Sequence, residues 1–327
     1  MKMINIVNKT LDLLNANDEW NKRYADYLSD IWVNSCKSKK GFHKPVGLSV
    51  YTTLGTRNEK KYYLRFKGQN VGEVFVGKAD KTSLRSLVKE SKRHDIKDCP
   101  ILEGDEPVEW DSSKATEFRK FFSDLPLNTR TKSNEHYVEN RLLKEFRKRH
   151  RDEKALPNIQ PVLLHGNFFQ MPTPLKASSH KPEYAKQKGG GIDIMARMIT
   201  KSGRRRLCVI EVKDENKESE SQEAAMSQAV TYATFIACLL EQNPDFMEFF
   251  MGHAFKHDNL PSTLDKYDIE VITIMPAGDS TEFVNEVVEI PGTQFKLHCH
   301  SLYYDKSKFD KSNLFDFTGT LLEEIKQ

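Results

Sequence analysis

The run RLCVIEVK, residues 206–213, is apolar until it places a carboxylate and an ammonium two residues apart. In an extended strand alternate side chains share a face, so Leu207, Val209, Glu211 and Lys213 lie on one side and Cys208, Ile210 and Val212 on the other. Glu211 and Lys213 therefore project together at the strand's end. A second acid, Asp193, interrupts the apolar pattern of GGGIDIMARM, residues 189–198. The turn TKSGRRR between the two runs makes them a hairpin, which brings Asp193 and Glu211 within reach of one metal ion. Two carboxylates and a strand-end carbonyl, that of Val212, suit Mg²⁺, which takes hard oxygen ligands and keeps several waters. A lysine beside such an ion can orient a water, lower its pKa, or stabilise negative charge in a transition state.

The elements that must position these groups follow from hydrophobic period and turn residues. Residues 134–151 read as a helix, 162–170 as a strand, and 192–199 and 206–213 as the hairpin. A long helix over 221–240 and an apolar strand, IEVITIMPA, follow. The order is α-β-β-β-α-β, and hairpin-like segments at 283–290 and 295–304 with a short terminal helix complete the chain. The first part has another rhythm. Residues 4–35 carry Leu11, Leu14, Trp20, Tyr24, Tyr27 and Leu28 at near-helical spacing. Short β-rich runs between Val46 and Val76, separated by Gly55, Asn58 and the turn KGQN, predict an antiparallel meander. Helices are expected around 83–92 and 114–122. The linker SDLPLNTRTKSNE then places a domain boundary near 125, giving an N-terminal α+β domain over 1–125 and a second domain over 126–327.

Asp193, followed after a hairpin by Glu211-Val212-Lys213, resembles the D…(D/E)xK signature of the PD-(D/E)xK, or restriction-endonuclease-like, nuclease superfamily. Gln228-Ala-Val-Thr-Tyr232 on the next helix is similar to the QxxxY motif of its RecB-type branch, and Gln and Tyr at i and i+4 share a helical face. Glu139 is similar in placement to the first-helix acid of many members. It also falls with Leu142, Leu143 and Phe146 on an apolar stripe, where an acid is costly unless paired, hydrogen-bonded or metal-bound. Glu135 and Glu145 are the alternatives. Ile192 stands where the signature often has proline.

The resemblance covers about residues 134–275. It implies an α/β fold with an αβββαβ core on a mixed central sheet, and a Mg²⁺-dependent phosphodiester hydrolase in which Mn²⁺ can substitute. The metal would be held by Asp193, Glu211, the Val212 carbonyl and Glu139. Lys213 would generate or position hydroxide, with Gln228 and Tyr232 orienting it or touching the nucleic-acid backbone. DNA is implied over RNA, in repair, recombination or defence. The alternative is a non-cleaving nucleic-acid-binding or protein-interaction module on the same fold. A homodimer, and a protein partner for residues 1–125, stay open.

Other features have plainer readings. Basic clusters at 141–154 (with Lys148), at 176–188 (with Lys188) and at Arg204, Arg205 and Arg206 flank the site in sequence and are expected to contact phosphate. A solvated helix end and charged loops would account for the same residues. Gly189-Gly-Gly191 lacks the GK[ST] continuation of a P-loop and precedes a strand, so its expected role is close backbone approach. His298, His300, His253 and His257 match no closed zinc spacing and read as ordinary strand and helix residues. Tyr62, Leu64 and Phe66 share one face of the meander and read as core.

The net charge of +3 leaves partners undetermined, and the odd, scattered set of five cysteines argues for reduced thiols and a cytoplasmic setting. No apolar run approaches the ~18–20 residues of a membrane span, and the N-terminus lacks a signal-type apolar core.

Overall fold

The computed structural model describes residues 2–37, 49–51, 61–66, 69–76, 82–88, 99–101, 106–124, 134–148, 154–164, 167–177, 181–186, 189–216, 220–252, 255, 262–278, 281–312 and 314–325. Among these it is a mixed α/β protein of eight helices and sixteen strands. The helices are α1 (Met3–Asn15), α2 (Glu19–Lys37), α3 (Ser113–Asp124), α4 (Asn134–Arg147), α5 (Gln222–Gln242), α6 (Phe246–Met251), α7 (Lys306–Ser312) and α8 (Leu321–Ile325). The chain divides into two compact units. The first comprises Met1–Asp26, Arg141–Val162 and Met171–Gln327, and the second Tyr27–Asn140 and Leu163–Gln170.

The second unit carries a five-stranded antiparallel meander, β1 (Ser49–Tyr51), β2 (Lys61–Phe66), β3 (Gln69–Val76), β4 (Thr82–Ser86) and β5 (Val108–Glu109), in that spatial order. The expected meander is therefore present, and Leu64 and Phe66 are buried in its core. Phe66 and Phe118 both meet Phe122, joining the sheet to α3. Where a helix is expected around 83–92, Thr82–Ser86 is instead β4, and 89–92 lie outside the described residues. Thr82, Leu84 and Ser86 alternate inward there and pair with β3, so the two-residue period prevails over helical spacing. A small hairpin, β7 (Leu163–Leu164) with β8 (Asn167–Phe168), belongs to the same unit.

The first unit is built on a larger mixed sheet. Its order is β14 (Asn285–Glu289), β15 (Lys296–Tyr304), β13 (Thr263–Pro276), β12 (Arg204–Val212), β11 (Ile194–Ile199) and β6 (Ile159–Pro161). β16 (Phe317–Gly319) pairs with β15 beyond β14, and β9 (Leu175–Lys176) with β10 (Glu183–Tyr184) forms a separate hairpin. β11 is antiparallel to both of its neighbours, β6 and β12, whereas β12, β13 and β15 run parallel. The single strand expected over 162–170 is not formed: β6 ends at Pro161, and β7 and β8 pair with each other instead. Proline cannot donate to a ladder, which suits a short outer strand.

α5 explains the parallel step. It crosses from β12 to β13 and is capped by Ser221, whose hydroxyl accepts the Ala224 N–H at 3.3 Å. By length and composition α5 could cross a membrane, unlike anything anticipated in the sequence, yet 83% of that window is buried in the fold. Its Gln222 side chain meets Thr273 of β13 at 2.7 Å, and its Phe235 receives the edges of Trp20 and Tyr24 from α2. α1 and the start of α2 thus belong with α5, so the compact units do not follow a single cut near residue 125.

Candidate active site

The β11–β12 hairpin sets Ile194 opposite Ile210 and turns at Gly203, which adopts φ 76°. Asp193 immediately precedes β11, and its Oδ2 accepts the Val212 backbone N–H at 2.9 Å. The carboxylate therefore ties the start of one strand to the end of the next. Glu211 lies one residue back in β12 and is only 1% exposed. Its Oε1 accepts a hydrogen bond from Lys213 Nζ at 2.8 Å. The Lys213 N–H donates to Ile274 O at 2.9 Å, extending the β12–β13 ladder past the end of β12 and fixing where the lysine emerges.

Gln228 and Tyr232 approach from α5. Both are buried, and the phenol is raised above its ordinary range. Burial is the main cause, the negative charges of Glu211 and Asp193 add to it, and Lys213 and a hydrogen bond with Gln228 oppose it. Tyr232 thus stands in the field of all three charged groups and stays a neutral donor. Gly190 closes the other side: a Cβ there would come within 2.3 Å of the Tyr232 hydroxyl. A Cβ on Gly189 would strike the Thr173 carbonyl at 1.9 Å. The Gly190 N–H donates to Leu175 O, and its carbonyl accepts from Thr173, so the glycine run is held by backbone pairing against residues 173–175.

Asp193, Glu211, Lys213, Gln228 and Tyr232 accordingly gather at one end of β12. The arginines of the same strand do not join them. Arg206 lies five residues from Glu211, about 17 Å at strand rise, and Arg204 about 23 Å. Arg206 is engaged by Asp265 at 2.9 Å and by fully buried Glu270 at 2.8 Å. Burial opposes its charge, but Glu270 and Asp265 outweigh that and raise its pKa. Arg204 is exposed and lies 3.9 Å from Asp265, while Arg205 is half-buried. Lys148 pairs with Glu145 at 2.7 Å, and Glu145 also accepts the Ala155 N–H, so that acid braces the end of α4. Lys188, His253 and His257 lie outside the described residues.

Glu139 is 3% exposed, as its place on the apolar stripe implies, and its Oε2 meets His136 Nδ1 at 3.0 Å. It falls in the second unit, whereas the residues at the end of β12 belong to the first. Among the described residues no group of three or more His, Cys, Asp or Glu side chains is arranged to hold a metal ion. His298 and His300 pair with Asp268 and Glu270, respectively. This extends the acid network around Arg206, which the sequence reading had not assembled. Cys99, Cys208, Cys238 and Cys299 are free and buried, and burial pushes Cys99 up to about 11 and Cys238 up to about 12.

No family model matches this chain, and neither a curated protein nor a solved structure matches it.

Proposed function

We propose that the chain is a metal-dependent nuclease acting on DNA, with a restriction-endonuclease-like core formed by α4, β6, β11, β12, α5 and β13. The observation that carries this reading is the convergence of Asp193, Glu211 and Lys213 on the Tyr232 phenol at the end of β12. Two acids against one lysine leave a net negative charge, and their donor atoms are hard oxygens, a set that fits Mg²⁺ or Mn²⁺. Asp193, Glu211 and the Val212 carbonyl would hold that ion, which supplies Lewis-acid neutralisation of a phosphodiester.

The chain's own groups do the rest. Asp193, bonded to the Val212 N–H, keeps the strand end in register. Lys213, whose ammonium already donates to Glu211, orients the attacking water and stabilises charge on the phosphoryl oxygens. Tyr232, held by Gln228, donates a hydrogen bond and remains protonated.

The test is cleavage of linear duplex, single-stranded and supercoiled DNA with Mg²⁺ or Mn²⁺ by wild type, Glu211→Ala and Lys213→Ala. Cleavage by wild type alone supports the proposal, and full activity in both variants sinks it.

A second reading, a non-cleaving nucleic-acid-binding or protein-interaction module, draws on the Glu211–Lys213 contact, since an ion pair of 2.8 Å also neutralises a buried acid without any metal. Titration with Mg²⁺ separates the two. The nuclease requires stabilisation that depends on Asp193 and Glu211, and the module predicts none.

A further inference from the structure

The glycine run that meets Tyr232 also fixes where a basic hairpin stands. The Gly190 N–H donates to the Leu175 carbonyl at 2.7 Å, the Thr173 N–H to the Gly190 carbonyl at 3.0 Å, and the Ala185 N–H to the Pro174 carbonyl at 2.8 Å. These bonds lay the glycine run, the approach to β9 and the end of β10 side by side. A Cβ on Gly190 would come within 2.3 Å of the Tyr232 hydroxyl and 3.1 Å of the Leu175 carbonyl, so β9 begins against the candidate site. Past β10, the Lys186 carbonyl accepts from Arg23 Nη1 at 2.9 Å, which ties the hairpin to the start of α2.

Alternation sorts the side chains of this ribbon. Leu175 and Pro182 are buried, whereas Lys176, Lys181 and Glu183 are exposed, with Glu183 in register opposite Lys176. Lys186 is exposed as well. Glu19 and Asp18 act on Tyr184, whose place opposite Leu175 puts it on the other face from Lys176. Among the described residues of the hairpin, three ammonium groups therefore stand against one carboxylate. The site beside it has two acids and one lysine, so a polyanion reaching it needs positive charge alongside. Arg204 and Arg206 are too far down β12 to provide it.

We propose that the exposed side of β9–β10 is a nucleic-acid-binding surface, on which Lys176, Lys181 and Lys186 contact the phosphates flanking the one presented to Lys213. The place of that central phosphate rests on the nuclease reading. The affinity of the hairpin for a strand does not, because it is measured without metal and without cleavage. Lysines meeting phosphates carry no sequence information, so this surface holds and orients a strand of any sequence.

The experiment is fluorescence anisotropy of a short labelled single strand with the full chain, metal-free, over a range of salt. Wild type is compared with Lys176→Ala, the triple variant Lys176→Ala, Lys181→Ala and Lys186→Ala, Glu183→Gln, and Arg204→Ala. Each lysine–phosphate contact contributes about 0.7 to the slope of log affinity on log salt, so the triple variant should flatten the slope by about 2. Glu183→Gln should tighten binding about twofold, and Arg204→Ala should leave the slope unchanged. The replaced side chains are exposed, so every variant should fold and melt like wild type. No binding by wild type, an unchanged slope in the triple variant, or an effect of Arg204→Ala equal to that of Lys176→Ala overturns the surface. Lysine-dependent binding with no cleavage once Mg²⁺ is added sinks the nuclease reading and upholds the hairpin.

Discussion

Replacing Lys213 by Met tests whether the end of β12 is a cation site or a closed ion pair. Glu211 is 1% exposed and Lys213 12%, so their 2.8 Å contact is largely shielded from water. Removing the ammonium while leaving the buried carboxylate should cost about 3–5 kcal/mol, whereas Glu211→Gln with Lys213→Met should recover much of that loss. If Asp193 and Glu211 can hold a divalent cation, Lys213→Met turns a net charge of minus one into minus two there. Mg²⁺ should then stabilise Lys213→Met more than wild type, approaching about 2.7 kcal/mol at a hundredfold excess over its dissociation constant. Glu211→Gln should lose that response. The assay is urea unfolding of wild type, both single variants and the double variant, with and without Mg²⁺. Two results refute the reasoning: Lys213→Met as stable as wild type, or Mg²⁺ shifting all four proteins equally.

Gly190→Ala would drive a Cβ to 2.3 Å from the Tyr232 hydroxyl and should cost about 1–3 kcal/mol with a displaced phenol, visible by denaturation and tyrosine fluorescence. Gly278→Ala is the matched control: its Cβ would meet Asn216 at 3.6 Å, an ordinary contact, and its stability should stay within about 0.5 kcal/mol of wild type. Phe235→Ala removes a fully buried ring that receives Trp20 and Tyr24, and should cost about 3–5 kcal/mol while exposing Trp20 to quencher. At alkaline pH the buried thiols set a direction. Cys99 and Cys238 rise on folding from 9.0 to about 11 and about 12, so the unfolded chain releases its protons first. Their contribution is complete below pH 9 and falls as pH climbs toward those values, which unfolding curves on Cys99→Ala and Cys238→Ala should show as a flatter alkaline limb.

Some of this was legible because covalent geometry imposes it. Alternation along β12 unites Glu211 and Lys213, and the four-residue step along α5 unites Gln228 and Tyr232, whatever the rest of the chain does. The meander was readable from its turn residues. The segment at 82–86 was not, since five residues with one apolar side chain, Leu84, fit either period until β3 offers a ladder. The basic run that opens β12 shows a related limit. Nearness in sequence is not nearness in a strand that advances about 3.3 Å per residue, so Arg206 is far from Glu211.

By itself, then, the sequence determined which side chains share a face and where α4 and α5 begin. Tertiary structure decided which charges meet. Arg206 is neutralised by Asp265 and Glu270, acids 59 and 64 residues away that only the parallel β12–β13 pairing delivers. Arg197, one strand over, meets the Phe250 carbonyl and, among the described residues, no acid. Local periodicity comes from bond geometry, but the partner of a buried charge depends on sheet order, which long-range packing alone selects.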